Sequence, residues 1–287
     1  MSNKVSFGKT YSMGFRIFGK TLGWQILYLI VFFIAAMVIS LLTSVITGVL
    51  SGLLGVIGTI AINQLLSSFA TTPLTYGFAV ISDHAYQGKN VEFGSAFSTY
   101  KKIVPLFLLY LISAVVTGGV FLGLTYALMG QDVIELVNLF SEVMSSAQSG
   151  MTNSGDMQMY GEEIVALIMG NIGVLTIVGL ITLAVGVIFF FPPYYVVFKN
   201  DSVGDALSKG INSSLKNLPV IILIMISLYI VIAIMAVIMI IPILGALIWF
   251  LVILPLVFSF MQAIFRQMEP EISETQTSDL DEILDLE

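Results

Sequence analysis

The chain repeats one eight-residue pattern three times, and the middle copy reads Val91-Glu92-Phe93-Gly94-Ser95-Ala96-Phe97-Ser98. The outer copies are Val5-Ser6-Phe7-Gly8-Lys9-Thr10-Tyr11-Ser12 and Asp201-Ser202-Val203-Gly204-Asp205-Ala206-Leu207-Ser208. We call each copy an octet. Each octet precedes a long apolar region in which two membrane crossings can be placed. The octets therefore predict a fold of three similar units, although they do not indicate a chemistry.

Composition places the chain among integral membrane proteins. Hydrophobic residues make up 57% of it and charged residues only 10%, whereas soluble chains carry roughly 25% charged residues. The chain has no cysteine, which excludes disulfides, thiolate catalysis and thiol-bound metals. The first twenty residues are basic but contain no compact apolar core followed by a cleavage site, so we expect no removable signal peptide.

Four runs of sequence contain no Asp, Glu, Lys or Arg, and they lie at 21–82, 103–131, 164–198 and 217–265. A spanning helix needs about 20 apolar residues, so these runs have room for two, one, one and two helices. A glycine-dense segment at 48–58 and a turn at 242–245 divide the two longest runs. The predicted spans are residues 23–46, 56–82, 104–128, 168–198, 218–240 and 244–265.

The distribution of charge predicts the orientation. All eleven Lys and Arg residues lie in 4–20, 89–102, 199–216 or at position 266, whereas the 131–163 loop has six acids and no base. The positive-inside rule then places both termini in the cytoplasm and the acidic loop outside. Six crossings, an even number, agree with termini on the same side.

The octets themselves have the pattern of amphipathic helices on the membrane surface. In the first copy Phe7, Tyr11 and Phe15 recur at helical spacing, while Lys9 and Arg16 fall on another face. Such a helix lies in the interface of the lipid bilayer, where anionic headgroups favour each basic residue by about 1 kcal/mol. We therefore expect three interfacial helices, each leading into a helical hairpin.

A proline followed by bulky residues recurs near the inner end of every second span. The three copies are Pro73-Leu74-Thr75-Tyr76, Pro193-Tyr194-Tyr195-Val196 and Pro255-Leu256-Val257-Phe258. Proline kinks a helix, and in a bundle neighbouring groups can bond the freed carbonyl. The predicted fold class is an all-α polytopic membrane protein with six transmembrane helices, arranged as three parallel hairpin repeats around a pseudo-threefold axis.

Two segments outside the spans are polar. Residues 132–147 predict an amphipathic helix on the outer side, followed by a linker. The membrane domain is predicted to cover 1–266, and the acidic segment 267–287 to be a disordered cytoplasmic tail. Near its end the tail has helically spaced apolar residues that either dock in a protein partner or stay solvated; they are Leu280, Ile283, Leu284 and Leu286.

The sequence offers little catalytic chemistry. His84 is the only histidine and follows Asp83, but adjacent residues on a helix do not face each other, so an interfacial polar role fits better than an acid–base pair. No catalytic or metal-binding motif is present, and we expect no cofactor and no metal. If the protein were an enzyme of an unrecognised type, its site would be a cytoplasmic cluster of Asp83, His84, Asp201 and Asp205.

Neutral polar residues inside the spans allow a second hypothesis. Asn63, Gln64 and Asn171 are candidates for lining a path for a neutral or lipid-like solute. Hydrogen bonding between helices is their more usual role. Small-residue pairs such as Gly119 and Gly123 permit close helix packing, within one chain or in a homo-oligomer.

The six apolar crossings, the octets and the proline-aromatic segments together resemble a loose group of uncharacterised six-helix bacterial membrane proteins. These proteins are related to the membrane domain found beside some glycerophosphodiester phosphodiesterases. The resemblance extends from Lys4 to Arg266 and concerns arrangement. It implies a multi-pass protein of the bacterial inner membrane with no established reaction.

The sequence thus leaves three hypotheses of function. The first is a non-enzymatic scaffold or regulatory component that binds protein partners, and not nucleic acid, through its cytoplasmic helices and tail. The second is a passive or lipid-linked transporter of small molecules, which predicts an open cavity between the hairpins. The third is a membrane enzyme of unrecognised type.

Overall fold

A computed structural model describes residues 4–149, 154–236 and 249–269 of the 287-residue chain. Within these ranges nearly every residue is helical, and no β-strand occurs there. The helices are α1 (Phe7–Tyr86), a 3-10 helix (Phe93–Lys102), α2 (Ile103–Met129), α3 (Gln131–Ser149), α4 (Ser154–Gly170), α5 (Ile172–Phe190), α6 (Pro192–Lys199), α7 (Val203–Ala236), a π-helical turn (Trp249–Ile253) and α8 (Leu254–Met268). The predicted all-helical class is confirmed for the described part.

The chain divides into two compact units. The larger unit combines Met1–Leu111 with Val187–Glu287, and the smaller unit is Ile112–Gly186. All three octets and all three proline-aromatic stretches, around Pro73, Pro193 and Pro255, belong to the larger unit. The smaller unit contains the acidic helices α3 and α4.

Five helices are long and apolar enough to cross a membrane, namely Phe7–Leu50, Phe93–Met129, Ile172–Lys199, Val203–Val231 and Leu251–Met268. In the first four, between 11% and 28% of the most apolar 18-residue window is buried, against 78% in the last. The first four therefore expose long apolar surfaces, which soluble monomers rarely do. A membrane protein with several apolar helices is thus supported.

The predicted second span, 56–82, is not among these five helices. It carries no charge before Asp83, but neutral polar residues are frequent in it, among them Asn63, Gln64, Ser67 and Ser68. These side chains lower its mean hydropathy below that of the other spans. Within the described residues the structure therefore supports five apolar helices of spanning length, and the sixth span, 56–82, stays a prediction.

The glycine-dense segment reverses the chain as predicted. Gly55 has φ 64° and ψ 180°, the one non-helical conformation inside α1, and glycine adopts such a φ without the strain of a Cβ. The two limbs of α1 run back along each other, because Gln25 Nε2 donates to Ser82 Oγ at 2.8 Å and Tyr28 Oη donates to the Leu74 carbonyl at 2.8 Å. The first and second limbs therefore form a helical hairpin.

Aromatic side chains fill the core of the larger unit. We use the term base for this core together with the helix ends that surround it. The rings of Phe78 and Phe258 stack at 5.1 Å, and those of Tyr76 and Tyr194 meet edge to face at 6.0 Å. The four rings follow Pro73, Pro193 and Pro255 closely in sequence. The three proline-aromatic segments therefore converge in one core, where buried aromatic pairs add about 0.5–1.5 kcal/mol each.

The three octets have a common local geometry. Each begins its helix at the third residue, which is Phe7, Phe93 or Val203. The sixth residue of each octet is completely buried, and these residues are Thr10, Ala96 and Ala206. Further along, α1 and α7 bury residues at equal distances from the octet, and the pairs are Gly14 with Gly210, Ile17 with Ser213, Thr21 with Asn217, Gln25 with Ile221 and Tyr28 with Ile224.

The first and third octets differ from the prediction in one respect. They do not form helices separate from the spans, since α1 continues without a break from Phe7 to Gly55 and α7 from Val203 to Ala236. Buried positions recur every three or four residues from the octet to Leu29 in α1 and to Leu228 in α7, so the octet and the first turns of the following apolar stretch pack along one face.

The second octet forms a 3-10 helix instead of an α-helix. Its buried residues Ala96 and Thr99 lie three apart, as three residues per turn require. Thr99 Oγ1 donates to the Pro73 carbonyl at 2.8 Å, and Tyr100 Oη donates to the Ala70 carbonyl at 3.1 Å. Both hydroxyl groups thus donate to carbonyls in the part of α1 around Pro73, where the proline itself has no N–H to donate.

In the smaller unit, α3 confirms the helix predicted at 132–147. A second helix, α4, follows it. Gly130, with φ 60°, separates α2 from α3. Leu139 of α3 is buried, whereas Ile134, Val137 and Phe140 are about half exposed. Asn171 lies at the break between α4 and α5, and α4 replaces much of the predicted linker.

At the C-terminal end, α8 extends to Met268, and Gln267 and Met268 are buried in the base. The last described helix thus continues two residues past position 266, and the boundary of the membrane domain at 266 stays a prediction. The predicted turn at 242–245 and the apolar residues of the tail, Leu280, Ile283, Leu284 and Leu286, lie outside the described residues.

Candidate functional site

A buried ion pair lies in the base of the larger unit. Asp83 stands near the end of the second limb of α1 and Arg266 near the end of α8. Their exposed fractions are 5% and 2%. A buried charge is expensive unless it is paired and hydrogen-bonded, so this contact binds the end of the first hairpin to the last helix.

Asp83 accepts hydrogen bonds on both carboxylate oxygens. Its Oδ1 accepts from Arg266 Nε at 2.7 Å, from Arg266 Nη2 and from Gln262 Nε2 at 2.6 Å. Its Oδ2 accepts from Gln87 Nε2 at 2.8 Å. Charge-assisted bonds of this kind are among the stronger ones in proteins, and here they fix the carboxylate from α1 and from α8.

Aromatic rings complete the surroundings of the guanidinium group. Arg266 Cζ lies 5.5 Å from the ring centroid of Tyr86 and 5.7 Å from that of Phe198. A cation within about 6 Å of a ring face is attracted by its quadrupole. Arg266 therefore connects α8 with the end of α1 and with α6 through contacts that a lysine would not reproduce.

Polar side chains extend this centre toward the start of the chain. Gln267 Nε2 donates to Thr10 Oγ1 at 2.7 Å, and the Ser6 N–H donates to Gln267 Oε1 at 2.9 Å. The Val5 N–H donates to Asn217 Oδ1 at 2.9 Å. The first octet is thus bonded to α8 and to α7 by contacts far apart in sequence.

A second polar group lies where α6, α7 and the end of α8 meet. Tyr195 Oη is 2.9 Å from Ser213 Oγ and donates to Glu269 Oε1 at 2.9 Å. Lys199 Nζ lies 3.8 Å from Glu269 Oε2. Lys102 Nζ donates to the carbonyls of two residues in the last turn of α6, Val196 and Val197, at 2.7 and 2.8 Å, which a helix C-terminus otherwise leaves unpaired.

The four residues of the predicted cytoplasmic cluster make separate contacts. Asp83 points inward to Arg266, while His84 Nδ1 lies 3.4 Å from Ser95 Oγ of the second octet. Asp201 accepts two bonds of 2.9 Å from Lys209 Nζ. Asp205 Oδ2 accepts a 2.6 Å bond from Ser202 Oγ, and the Asp205 N–H donates to Ser202 Oγ at 3.2 Å, so Ser202 caps the start of α7.

The residues of the predicted solute path are hydrogen-bonded in different places. Gln64 Nε2 lies 3.3 Å from Ser68 Oγ, which donates to Tyr110 Oη at 2.9 Å. Asn63 Oδ1 is buried and has no partner within the described part of the protein. In the smaller unit, Asn171 Nδ2 donates to Asp132 Oδ2 at 2.8 Å, which joins the α4–α5 break to α3.

Sequence reasoning missed Arg266 and Gln262. One signal was present, because Arg266 is the only Lys or Arg after Lys216, and a lone base at the end of an apolar run requires a partner. Within residues 4–149, 154–236 and 249–269, no three His, Asp or Glu side chains are grouped to hold a metal ion. What the site does chemically is to join distant segments through paired charges.

Comparison with known proteins adds no relative to this picture. No family model, curated protein or solved structure matches the chain. We therefore argue its function from its own residues, starting from the ion pair and the aromatic base.

Proposed function

We propose that this protein is a non-enzymatic membrane component that scaffolds or regulates protein partners through its cytoplasmic base and acidic tail. The observation that carries the proposal is the filled base. The rings of Phe78, Tyr194 and Phe258 occupy the region where the three proline-aromatic segments meet. A transporter or an enzyme needs space for a solute at such a place, whereas a scaffold needs rigidity and an outer surface.

The outer surface of the base supports the same proposal. Lys9, Arg16 and Lys20 on α1 and Lys216 on α7 are exposed, although the helices that bear them are anchored by buried contacts. Exposed charges on a rigid support favour recognition of an oppositely charged partner. Passive or lipid-linked transport is less well supported, because two residues of the candidate path bond neighbouring side chains, Gln64 with Ser68 and Asn171 with Asp132.

A co-purification experiment tests this function. We expect a specific protein partner to be recovered with the tagged chain from mild detergent, and to be lost when Lys9, Arg16 and Lys20 are all replaced by serine. The matched control is Leu41→Ala, which changes an apolar side chain of the same α1 that is 67% exposed and should retain the partner. Recovery of no partner, or equal recovery with all three chains, would contradict the proposal.

We also propose six spans in three hairpins, with 56–82 as the sixth crossing. The antiparallel limbs of α1 and the equal burial pattern of α1 and α7 support this arrangement. The resemblance to the membrane domain beside glycerophosphodiester phosphodiesterases, and location in the bacterial inner membrane, are part of the same proposal. With six spans, the base and the exposed lysine and arginine residues around it lie on the cytoplasmic side.

The number of spans has a direct test, because the chain contains no native cysteine. We expect single cysteines at Ser2 and Ser273 to be protected from a membrane-impermeant maleimide in intact cells, and a cysteine at Ser141 in α3 to be labelled. An even number of crossings requires this result. Labelling at Ser273 with protection at Ser2 would give an odd number and remove 56–82 from the spans.

A further inference from the structure

We propose that the acidic segment 270–287 binds the exposed basic residues of the first and third octet helices of its own chain, and so competes with anionic lipid headgroups for them. This inference does not rest on the proposed function, since the contact can form whether or not a protein partner exists. It rests on three observations. They are the position at which the chain leaves α8, the charges exposed near that position, and the length of the eighteen-residue segment.

The exit of the segment is fixed between these two helices. Gln267 bonds Ser6 and Thr10 at the start of α1. Two residues later, Glu269 bonds Tyr195, which in turn contacts Ser213 of α7. The chain therefore leaves the base with the beginnings of α1 and α7 as its neighbours.

The charges on the two sides are complementary. Residues 270–287 contain no base, and their acids are Glu271, Glu274, Asp279, Asp281, Glu282, Asp285 and Glu287. On α1 the exposed bases are Lys9, Arg16 and Lys20. On α7 they are Lys216 and Lys209, of which Lys209 already pairs with Asp201 at 2.9 Å. Steps of seven and four residues put the bases of α1 on one stripe of the helix, and a step of seven does the same on α7.

Apolar surface beside these bases matches the apolar residues of the segment. Phe15 on α1 and Leu215 on α7 are each 50% exposed and stand next to Arg16 and Lys216. Leu280, Ile283, Leu284 and Leu286 alternate with acids at the end of the chain. Because adjacent helical residues lie about 100° apart, Phe15 and Leu215 form apolar faces that flank the basic stripes, and the leucines and acids of the segment can contact these neighbouring faces together.

Length does not limit the contact. Eighteen residues span up to about 60 Å when extended, whereas the stripe from Lys9 to Lys20 is about 17 Å long at the rise of an α-helix. A tethered segment acts at an effective concentration in the millimolar range. Anionic headgroups would compete for the same bases, at about 1 kcal/mol each, so occupation by the segment weakens attachment of this surface to acidic lipid.

Zero-length carbodiimide cross-linking of the full chain in neutral-lipid nanodiscs tests the inference. We expect bonds between acids of 271–287 and Lys9, Lys20, Lys209 or Lys216, detected as linked peptides by mass spectrometry. The yield of these bonds should fall at high salt, because salt screens the attraction between the acids and the bases, while the amide variant, in which the seven acids are changed to the corresponding amides and which has no carboxylate side chain to couple in this segment, gives the background. Mixing isotope-labelled and unlabelled chains separates bonds within one chain from bonds between copies.

Lysine acylation gives a second readout. In neutral nanodiscs we expect Lys216 to react about fivefold faster in the amide variant than in the native chain, which corresponds to about 1 kcal/mol of protection. Lys89, outside both octet helices, should be unaffected. In nanodiscs with anionic lipid, Lys216 should be acylated at the same rate in the amide variant and in the native chain, because headgroups cover the same bases. Equal acylation in neutral lipid, or cross-links only between copies, would overturn the inference.

Discussion

Replacing Arg266 with methionine is expected to lower the free energy of unfolding by about 3–5 kcal/mol, the usual cost of removing one member of a buried ion pair. Asp83, which is 5% exposed, would retain only the bonds from Gln262 and Gln87. Methionine fills much of the same volume, so the loss comes from the uncompensated carboxylate. Reversible denaturation in detergent, followed by circular dichroism, measures it.

Two further variants make the result specific to burial. Lys209→Met breaks an ion pair of similar length with Asp201, but Lys209 is 54% exposed on its side chain, and such pairs contribute little. We expect no measurable change there. Combining Asp83→Leu with Arg266→Met removes both charges and should recover most of the stability. If Arg266→Met were as mild as Lys209→Met, the pair would not hold α8 to the base.

Local sequence predicted where the chain turns and that the octets are helical. Gly55 lies inside the glycine-dense segment, since a reversal needs a φ that only glycine adopts freely. The octets begin helices at equivalent positions because a β-region residue precedes each of the first two, Ser6 and Glu92. These are short-range properties, and a few neighbouring residues suffice to determine them.

Local sequence patterns could not predict contacts between residues that are far apart in the chain. Asp83 and Arg266 are 183 positions apart, and nothing near Asp83 indicates which of eleven bases it meets. His84 is the only histidine and was therefore a candidate site residue beside Asp83. Successive helical residues, however, face different directions. Asp83 therefore turns into the base, while His84 turns to Ser95.

The count of spans shows a different limit. Absence of charge predicts 56–82 as a span, although its hydroxyl and amide groups make its transfer into lipid less favourable than that of the other predicted spans. Some of these groups bond the protein itself, as Ser68 does with Tyr110 and Thr72 with the Ser68 carbonyl. Whether a polar residue faces lipid or a partner depends on the neighbouring helix, which no local pattern reveals.

The closest packing in the hairpin of α1 gives the second large effect, a loss of about 2–3 kcal/mol on Gly77→Ala, within the range for overpacked cores. A methyl group at Gly77 would lie 2.5 Å from Tyr28 Cζ, in contact with its Oη, and 2.9 Å from the Ala96 carbonyl oxygen. Tyr28 is fully buried and packs edge to face on Phe78 at 4.8 Å, so its ring has little room to move.

Gly119→Ala is the matched control for this change. A methyl group there meets nothing within 4 Å, and alanine in a helix is favoured over glycine by up to about 1 kcal/mol, so stability should stay equal or rise. In a Tyr28→Leu background the cost of Gly77→Ala should fall, because residues in contact do not act additively. The Ala96 carbonyl would still oppose the methyl group, which leaves part of the cost. An unchanged cost in that background would mean that the second octet, and not Tyr28, sets the spacing of the two limbs.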